Sequence, residues 1–130
     1  VAGAVRGLGS GIASFVHIRR KGAFVLYTLG IWVTYLLMTY YNFLAIPALA
    51  HLTFFDSLFV SAVGNIASVI PVPGGIGAYH YLVALTLESI YGATWETSLL
   101  FATLSHETHA LLLIVLGIAS YVRLTARKAK

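Results

Sequence analysis

The sequence has no cysteine and few charged residues. The absence of cysteine excludes a disulfide framework, a cysteine-ligated metal site and a thiol nucleophile. Only 9% of the 130 residues carry a formal charge, whereas soluble globular domains have about 25%. Because 59% of the residues are hydrophobic, this composition excludes an ordinary soluble fold and predicts an integral membrane protein.

The few charges are sorted along the chain, with basic residues at the ends and acidic residues between them. The basic residues are Arg6, Arg19, Arg20, Lys21, Arg123, Arg127, Lys128 and Lys130, and the acidic residues are Asp56, Glu88, Glu96 and Glu107. A nucleic-acid surface would instead mix basic and aromatic residues on one patch. The positive-inside rule explains the sorting better, so we expect both ends in the cytoplasm and no nucleic-acid partner.

The chain contains two long apolar segments that could cross a bilayer completely. Residues 23–46 are uncharged and end at Pro47, and residues 97–122 precede a basic tail at residues 123–130. Both exceed the ~20 residues that a membrane-spanning helix needs. Because both basic ends are expected on one side, the number of full crossings between them must be even.

The ends of the sequence indicate a segment of a longer protein. The chain starts at Val1 and its only methionine is Met38, so we expect further transmembrane helices of the same protein as partners. Within residues 1–22, three glycines recur every fourth residue, as in the packed end of a preceding membrane helix. An interfacial or cytoplasmic connecting segment explains residues 1–22 equally well.

Two shorter apolar segments flank a break in the middle of the sequence. Residues 57–70 and 78–91 would each form a helix of about 21 Å, which is shorter than the ~30 Å hydrocarbon core. The two prolines of the break remove backbone donors and its three glycines favour turns. The break consists of Pro71, Pro73, Gly74, Gly75 and Gly77 with their neighbours.

These segments predict an all-α fold, a multi-pass transmembrane helical bundle with a broken helix hairpin. In the favoured arrangement, two full spans flank a re-entrant pair of half-helices. Two short full crossings in place of the hairpin remain the alternative.

Non-helical backbone at membrane depth occurs where protein buries it or where it lines a watery cavity. The break is therefore a candidate site. The amides of residues 75–78 would form the positive end of the following half-helix, where a phosphate or carboxylate could bind. The alternative is a tight connection between two packed helices.

Ionisable residues within the predicted membrane segments are the second group of candidates. His106, Glu107 and His109 lie near the middle of the last span, while His80 and Glu88 lie on the third segment and could line one side of a cavity. Hydrogen bonding between helices is an equally good explanation for the first three. The three-residue spacing of His106 and His109 does not fit a zincin motif, so the sequence predicts neither a metal site nor a cofactor.

A polar stripe on the second segment has two interpretations. Ser57, Ser61, Asn65 and Ser68 recur every three or four residues, which is more typical of interhelical hydrogen bonding than of a transport pathway. The sequence has no Gly-x-Ser-x-Gly elbow. We therefore expect no catalytic residues in residues 1–130.

Residues 63–80 have the sequence Val-Gly-Asn-Ile-Ala-Ser-Val-Ile-Pro-Val-Pro-Gly-Gly-Ile-Gly-Ala-Tyr-His. It is followed by an apolar helix ending at Tyr91 and a last helix with His106 and Gly117. This pattern resembles the transmembrane region of lysylphosphatidylglycerol synthases and of uncharacterised membrane proteins of that superfamily. The Pro-x-Pro-Gly-Gly-x-Gly core is the specific part of the resemblance, which covers most of the chain.

The resemblance implies a multi-pass protein of the bacterial inner membrane that acts as a lipid translocase (flippase) on membrane phospholipids. In the synthases, aminoacyl transfer belongs to a separate soluble domain that has no counterpart in these residues. Many relatives have glutamate at the position of His80, so the identity of the transported lipid stays open.

There are two alternatives to lipid translocation. One is a membrane anchor that supplies substrate to a lipid-modifying aminoacyl or glycosyl transferase, and the other is an assembly partner without transport activity. A homo-oligomer is compatible with each.

Overall fold

The computed structural model describes residues 20–67 and 69–128, and its regular elements there are all helical. The α-helices are α1 (Lys21–Ala45), α2 (Phe54–Ala67), α3 (Ala78–Tyr91) and α4 (Trp95–Lys128), with short 3-10 helices at Pro47–Leu49 and Pro73–Gly75. The all-α prediction is confirmed for these residues. Residues 1–19 of the segment predicted at 1–22 lie outside the described part, as do Ser68 and residues 129–130 of the basic tail. The end of the predicted segment, Lys21 and Gly22, belongs to α1.

Helices α1 and α4 are long and apolar enough to cross a membrane. Their lengths of about 38 and 51 Å exceed the ~30 Å of a hydrocarbon core. Few side chains in the most apolar part of either helix are buried within the chain, so neither resembles the core helix of a soluble domain. Such an exposed apolar surface is compatible with insertion into a membrane.

The chain divides into two units, Val1–Thr34 and Tyr35–Lys130. The described part of the first unit is the start of α1, with mostly exposed apolar side chains. The second unit contains the rest of α1 and all other helices. Its core consists of Phe43, Ile46, Leu49, Leu52, Val60, Val83, Leu87, Phe101 and Ala102.

Within the second unit, α1 and α4 run antiparallel. The rings of Phe43 and Phe101 stack with centroids 4.7 Å apart. Further along, the rings of Tyr35 and His109 meet edge to face with centroids 5.1 Å apart. These two contacts show that the helices run in opposite directions. An even number of membrane crossings from the start of α1 to the end of α4 requires this antiparallel arrangement.

Local sequence features explain where α1 ends and where α2 begins. Helix α1 stops before Pro47, and Ile46 takes the extended conformation that a residue preceding proline favours. Helix α2 starts at Phe54, three residues before the predicted start, because Thr53 and Asp56 cap it reciprocally. The Thr53 N–H donates to Asp56 Oδ2 at 2.7 Å, and the Asp56 N–H approaches Thr53 Oγ1 at 3.4 Å.

Helices α2 and α4 differ at their ends from the predicted ranges. Helix α2 ends at Ala67 rather than at residue 70, and two prolines follow shortly after. Helix α4 begins at Trp95, where Thr94 Oγ1 accepts the Thr97 N–H at 3.3 Å. It continues to Lys128, so residues 123–128 of the predicted basic tail are helical.

A hydrogen bond joins the beginning of α2 to the end of α3. The Tyr91 hydroxyl donates to Asp56 Oδ1 at 3.0 Å. Hydrogen bonds from the Thr53 side chain and N–H, with a smaller one from Tyr91, lower the pKa of Asp56. Burial and the Asp56 carboxylate raise the pKa of Tyr91 to about 12. Both groups lie outside the two long apolar helices, at the end of the bundle that holds the core.

We expect ionised Asp56 to stabilise the fold at neutral pH. Because its folded pKa is lowered, the contribution is complete above the unfolded pKa of about 3.9 and is lost as the pH falls through the folded pKa. Asp56→Asn should therefore lower the thermal midpoint of the detergent-solubilised protein at neutral pH and flatten its decline in acid. Glu96→Gln, at an exposed carboxylate in the first turn of α4, is the matched control. Equal acid sensitivity of Asp56→Asn and the unmodified protein would contradict this.

Candidate functional site

The break between α2 and α3 forms a turn at one end of the helix pair. Its backbone needs glycine, because Gly75 and Gly77 have φ values of 70° and 88°, a region that residues with a Cβ rarely adopt. Pro71, Pro73 and Gly77 are exposed and Gly75 is half-buried. Gly74 lies in the 3-10 helix between them.

This turn lies about a third of the way along α4, close to the centre of the predicted span 97–122. The ring of His80, in the first turn of α3, lies 5.0 Å from the ring of His106. His106 is about 16 Å from the start of α4, and α4 continues for ~24 Å from there to residue 122. The tip of the hairpin therefore reaches about the centre of the predicted last span and not its far end.

A cleft of about 230 Å³ lies at the same level. All four helices contribute to its walls. The lining residues are Tyr35, Thr39, Ser61, Gly64, Asn65, Tyr79, His106, His109 and Leu113. Tyr35 is close to the centre of the predicted span 23–46, as His109 is to the centre of 97–122. The cleft therefore coincides with the centres of both long segments.

Hydrogen bonds between helices hold the walls of the cleft together. The hydroxyl groups of Thr39 and Ser61 lie 3.0 Å apart and join α1 to α2. The hydroxyl groups of Tyr79 and Ser105 lie 3.1 Å apart and join α3 to α4. Asn42 also donates to the hydroxyl of α4 residue Thr108 at 3.2 Å. These bonds fix the polar side chains around the cleft.

The polar stripe of α2 contacts both the cleft and the neighbouring helix α1. Ser61 and Asn65 line the cleft, and Ser61 also bonds to α1. Ser57 is buried and bonds to the Phe54 carbonyl of its own helix. Ser68 lies outside the described residues.

Two histidines and one glutamate cluster beside the cleft. His80 of α3 meets His106 and Glu107 of α4, and one potential ligand atom from each lies within 4.8 Å of the others. His106 Nδ1 is 3.4 Å from Glu107 Oε1. The Glu107 side chain is 66% exposed and that of His106 is 19% exposed. The cluster thus joins a partly buried imidazole to an open carboxylate.

The other two predicted ionisable residues have different positions. His109 lines the cleft, and its Nδ1 lies against the Ser105 carbonyl. Glu88 is exposed on α3 and is neither a lining residue of the cleft nor a member of the histidine and glutamate cluster. The structure therefore places His80, His106, Glu107 and His109 in or beside the cleft, whereas Glu88 lies away from it.

Several cleft residues are absent from the sequence-based candidates. Tyr35 and Thr39 are four residues apart on one face of α1, and Tyr79 directly precedes the candidate His80. Polar groups at helical spacing within a span, as on α1, are the one signal that could have found them. Gly64 gives no such signal, because its role depends on the position of the Tyr79 ring.

The sequence matches no family model, no curated protein and no solved structure. The likeness to lysylphosphatidylglycerol synthases therefore stays a prediction from the residues of the break and its surroundings.

Gly64→Ala should destabilise the bundle and alter the cleft. A Cβ at this position would overlap the ring of Tyr79, which its bond to Ser105 holds in place. We expect a cost of about 1–3 kcal/mol, as for other overpacked cores, measured as a lower thermal midpoint in detergent. Gly30→Ala is the control, because nothing lies within 4 Å of its added Cβ and alanine favours helix. Similar midpoints for the two variants would rule out the tight α2–α3 contact.

Proposed function

We propose that this chain is part of a multi-pass protein of the bacterial inner membrane that translocates phospholipids between leaflets. In this proposal α1 and α4 cross the membrane with their basic ends in the cytoplasm. Helices α2 and α3 are the two halves of a re-entrant hairpin, and the break between them binds the lipid headgroup. The resemblance to the membrane domain of lysylphosphatidylglycerol synthases agrees with this assignment.

The level of the hairpin tip is the observation that carries the proposal. The His80 and His106 rings are 5.0 Å apart, so the turn lies near the centre of the predicted span 97–122. Two short full crossings would instead bring the turn to the membrane surface, near the end of the apolar part of α4. A turn that ends at mid-depth requires surrounding protein or water to satisfy its backbone, and the adjoining cleft can provide water.

The groups around the cleft suit a phospholipid headgroup. The Asn65 amide uses one of its two N–H donors on the Ser61 carbonyl and can give the other to a phosphate oxygen, and the Tyr79 hydroxyl can do so when Ser105 donates to it. The nearby start of α3 adds the positive end of a helix dipole. A charged residue at the centre of a span costs about 2.5–3.5 kcal/mol on insertion scales. Glu107 therefore needs a counter-charge, which an amine-bearing headgroup would supply during passage.

Cysteine labelling tests the re-entrant arrangement, since the chain has no native cysteine. Ile76 is 67% exposed at the tip of the turn. We expect Ile76→Cys in the full-length protein to react with a membrane-impermeant maleimide added from outside, through the water-filled cleft. His51→Cys and Thr125→Cys, at exposed positions in the α1–α2 loop and near the end of α4, mark the outer and cytoplasmic sides. Reaction of Ile76→Cys only from the cytoplasm would mean four crossings and a surface turn.

Lipid movement by the full-length protein in vesicles tests the function itself. We expect combined Gly75→Leu and Glu107→Leu replacement to abolish the transfer of a fluorescent phospholipid between leaflets. The leucines remove both the glycine turn and the charge beside the cleft. Glu107→Gln alone, which preserves side-chain volume, should slow transfer without affecting folding. Glu96→Gln, outside the cleft, should leave transfer unchanged.

Continued transfer by the double variant would overturn the proposal. Unchanged lipid sidedness in cells that lack the protein would also overturn it and favour a membrane anchor or an assembly partner.

A further inference from the structure

We propose that His80, His106 and Glu107 form a binding site for one divalent transition-metal ion of the zinc class. The three side chains come from two helices, and one potential ligand atom of each lies within 4.8 Å of the others. Two imidazoles and a carboxylate are a donor set that proteins use for such ions. Metal binding by this cluster goes beyond lipid translocation and does not depend on it.

The geometry needs only a small adjustment to hold an ion. Zinc binds imidazole nitrogen and carboxylate oxygen at about 2.0–2.2 Å, which places neighbouring tetrahedral ligands about 3.4 Å apart. The three potential ligand atoms are up to 4.8 Å apart, which is wider than in a zinc site. Rotation of the side chains about their χ angles can close this difference. The carboxylate of Glu107 is largely exposed, so its rotation meets little steric resistance.

Two of the contacts that the ion would replace are long for hydrogen bonds. The Gly77 N–H lies 3.4 Å from His80 Nδ1, and His106 Nδ1 lies 3.4 Å from Glu107 Oε1. Both distances exceed the 2.9–3.0 Å that is most common for N–H donors. Because His80 Nδ1 accepts the bond from the Gly77 N–H, it already presents the lone pair that a metal needs, and replacing these two long contacts by metal ligation costs little from them.

The donor set and the charge select the class of ion. Imidazole nitrogen favours zinc, copper, nickel and iron, whereas magnesium and calcium prefer oxygen ligands throughout. With neutral imidazoles the cluster carries one negative charge, from Glu107, which a dication balances and exceeds. Three protein ligands leave one position of a tetrahedral zinc for water.

The hairpin is what creates this ligand set. His106 and His109 have the wrong spacing for a zincin helix, and His109 faces the Ser105 carbonyl instead. The third ligand is His80, which lies 26 residues before His106 in the sequence. Its place beside α4 follows from the turn between α2 and α3, so the site depends on the hairpin as a whole.

The test is metal titration of the full-length protein, purified without a histidine tag and stripped with a chelator. We expect one Zn²⁺ per chain by calorimetry, and one Co²⁺ with visible d–d absorption typical of a four-coordinate site. His80→Gln, His106→Gln and Glu107→Gln should each weaken Zn²⁺ binding by at least about 100-fold, the upper range for losing an outer-shell partner alone. The neighbouring control His109→Gln should bind as tightly as the unmodified protein.

Circular dichroism and gel filtration of the metal-free variants establish that each one folds, so that weaker binding reports ligand loss. Absence of stoichiometric binding by the unmodified protein would overturn the proposal. Binding retained by a folded His80→Gln and His106→Gln double variant would overturn it as well. Because the readout is metal binding and not lipid movement, its failure is separate from failure of the proposed translocation.

Discussion

The structure depends on the packing of α3 against α4 and of α2 against α3, the two most extensive contacts between helices in the described residues. The stacked rings of Phe43 and Phe101 attach α1 to one end of this group. Both rings are fully buried, and such aromatic pairs contribute about 0.5–1.5 kcal/mol beyond the area that they bury. The shorter helices α2 and α3 extend from this same end, where Tyr91 bonds to Asp56. The beginning of α2 and the end of α3 lie at the same level, and the two helices are equally long. Their length therefore determines how far the hairpin reaches along α4.

Helix length therefore determines the chemistry of the site. Each short helix has 14 residues, about 21 Å, and their connecting turn consequently meets α4 near His106. A longer hairpin would carry His80 past the histidines and glutamate of α4. Polar bonds across the helices, such as that of Tyr79 to Ser105, then fix the register. The cleft follows from the difference in length between the two pairs of helices.

Local sequence signals predicted the helices but not the contacts between them. Hydropathy and the prolines at 47, 71 and 73 correctly indicated two long helices and a break, because these effects act within a few residues of the chain. The early start of α2 depends on the reciprocal Thr53 and Asp56 cap, which is also local and was readable in principle. The separation of Glu88 from the cleft depends on how α3 rotates against its neighbours. Such rotation is set by distant residues, for example Gly64 beneath the Tyr79 ring, so composition and spacing along one helix cannot give it.

The ionisable groups connect the proposed function with the proposed metal site. In the proposed arrangement Glu107 lies at mid-membrane depth, where a lone carboxylate is unfavourable and needs positive charge nearby. The described residues place two imidazoles beside it but no lysine or arginine ion pair. A neutral imidazole offers hydrogen bonds or metal ligation and not a permanent counter-charge. Under the two proposals, the same cluster receives a cationic headgroup transiently or a metal ion more permanently. A bound dication would then reverse the preference of the cluster from amines towards phosphate. The occupant of this cluster would therefore determine which end of a lipid headgroup the cleft attracts.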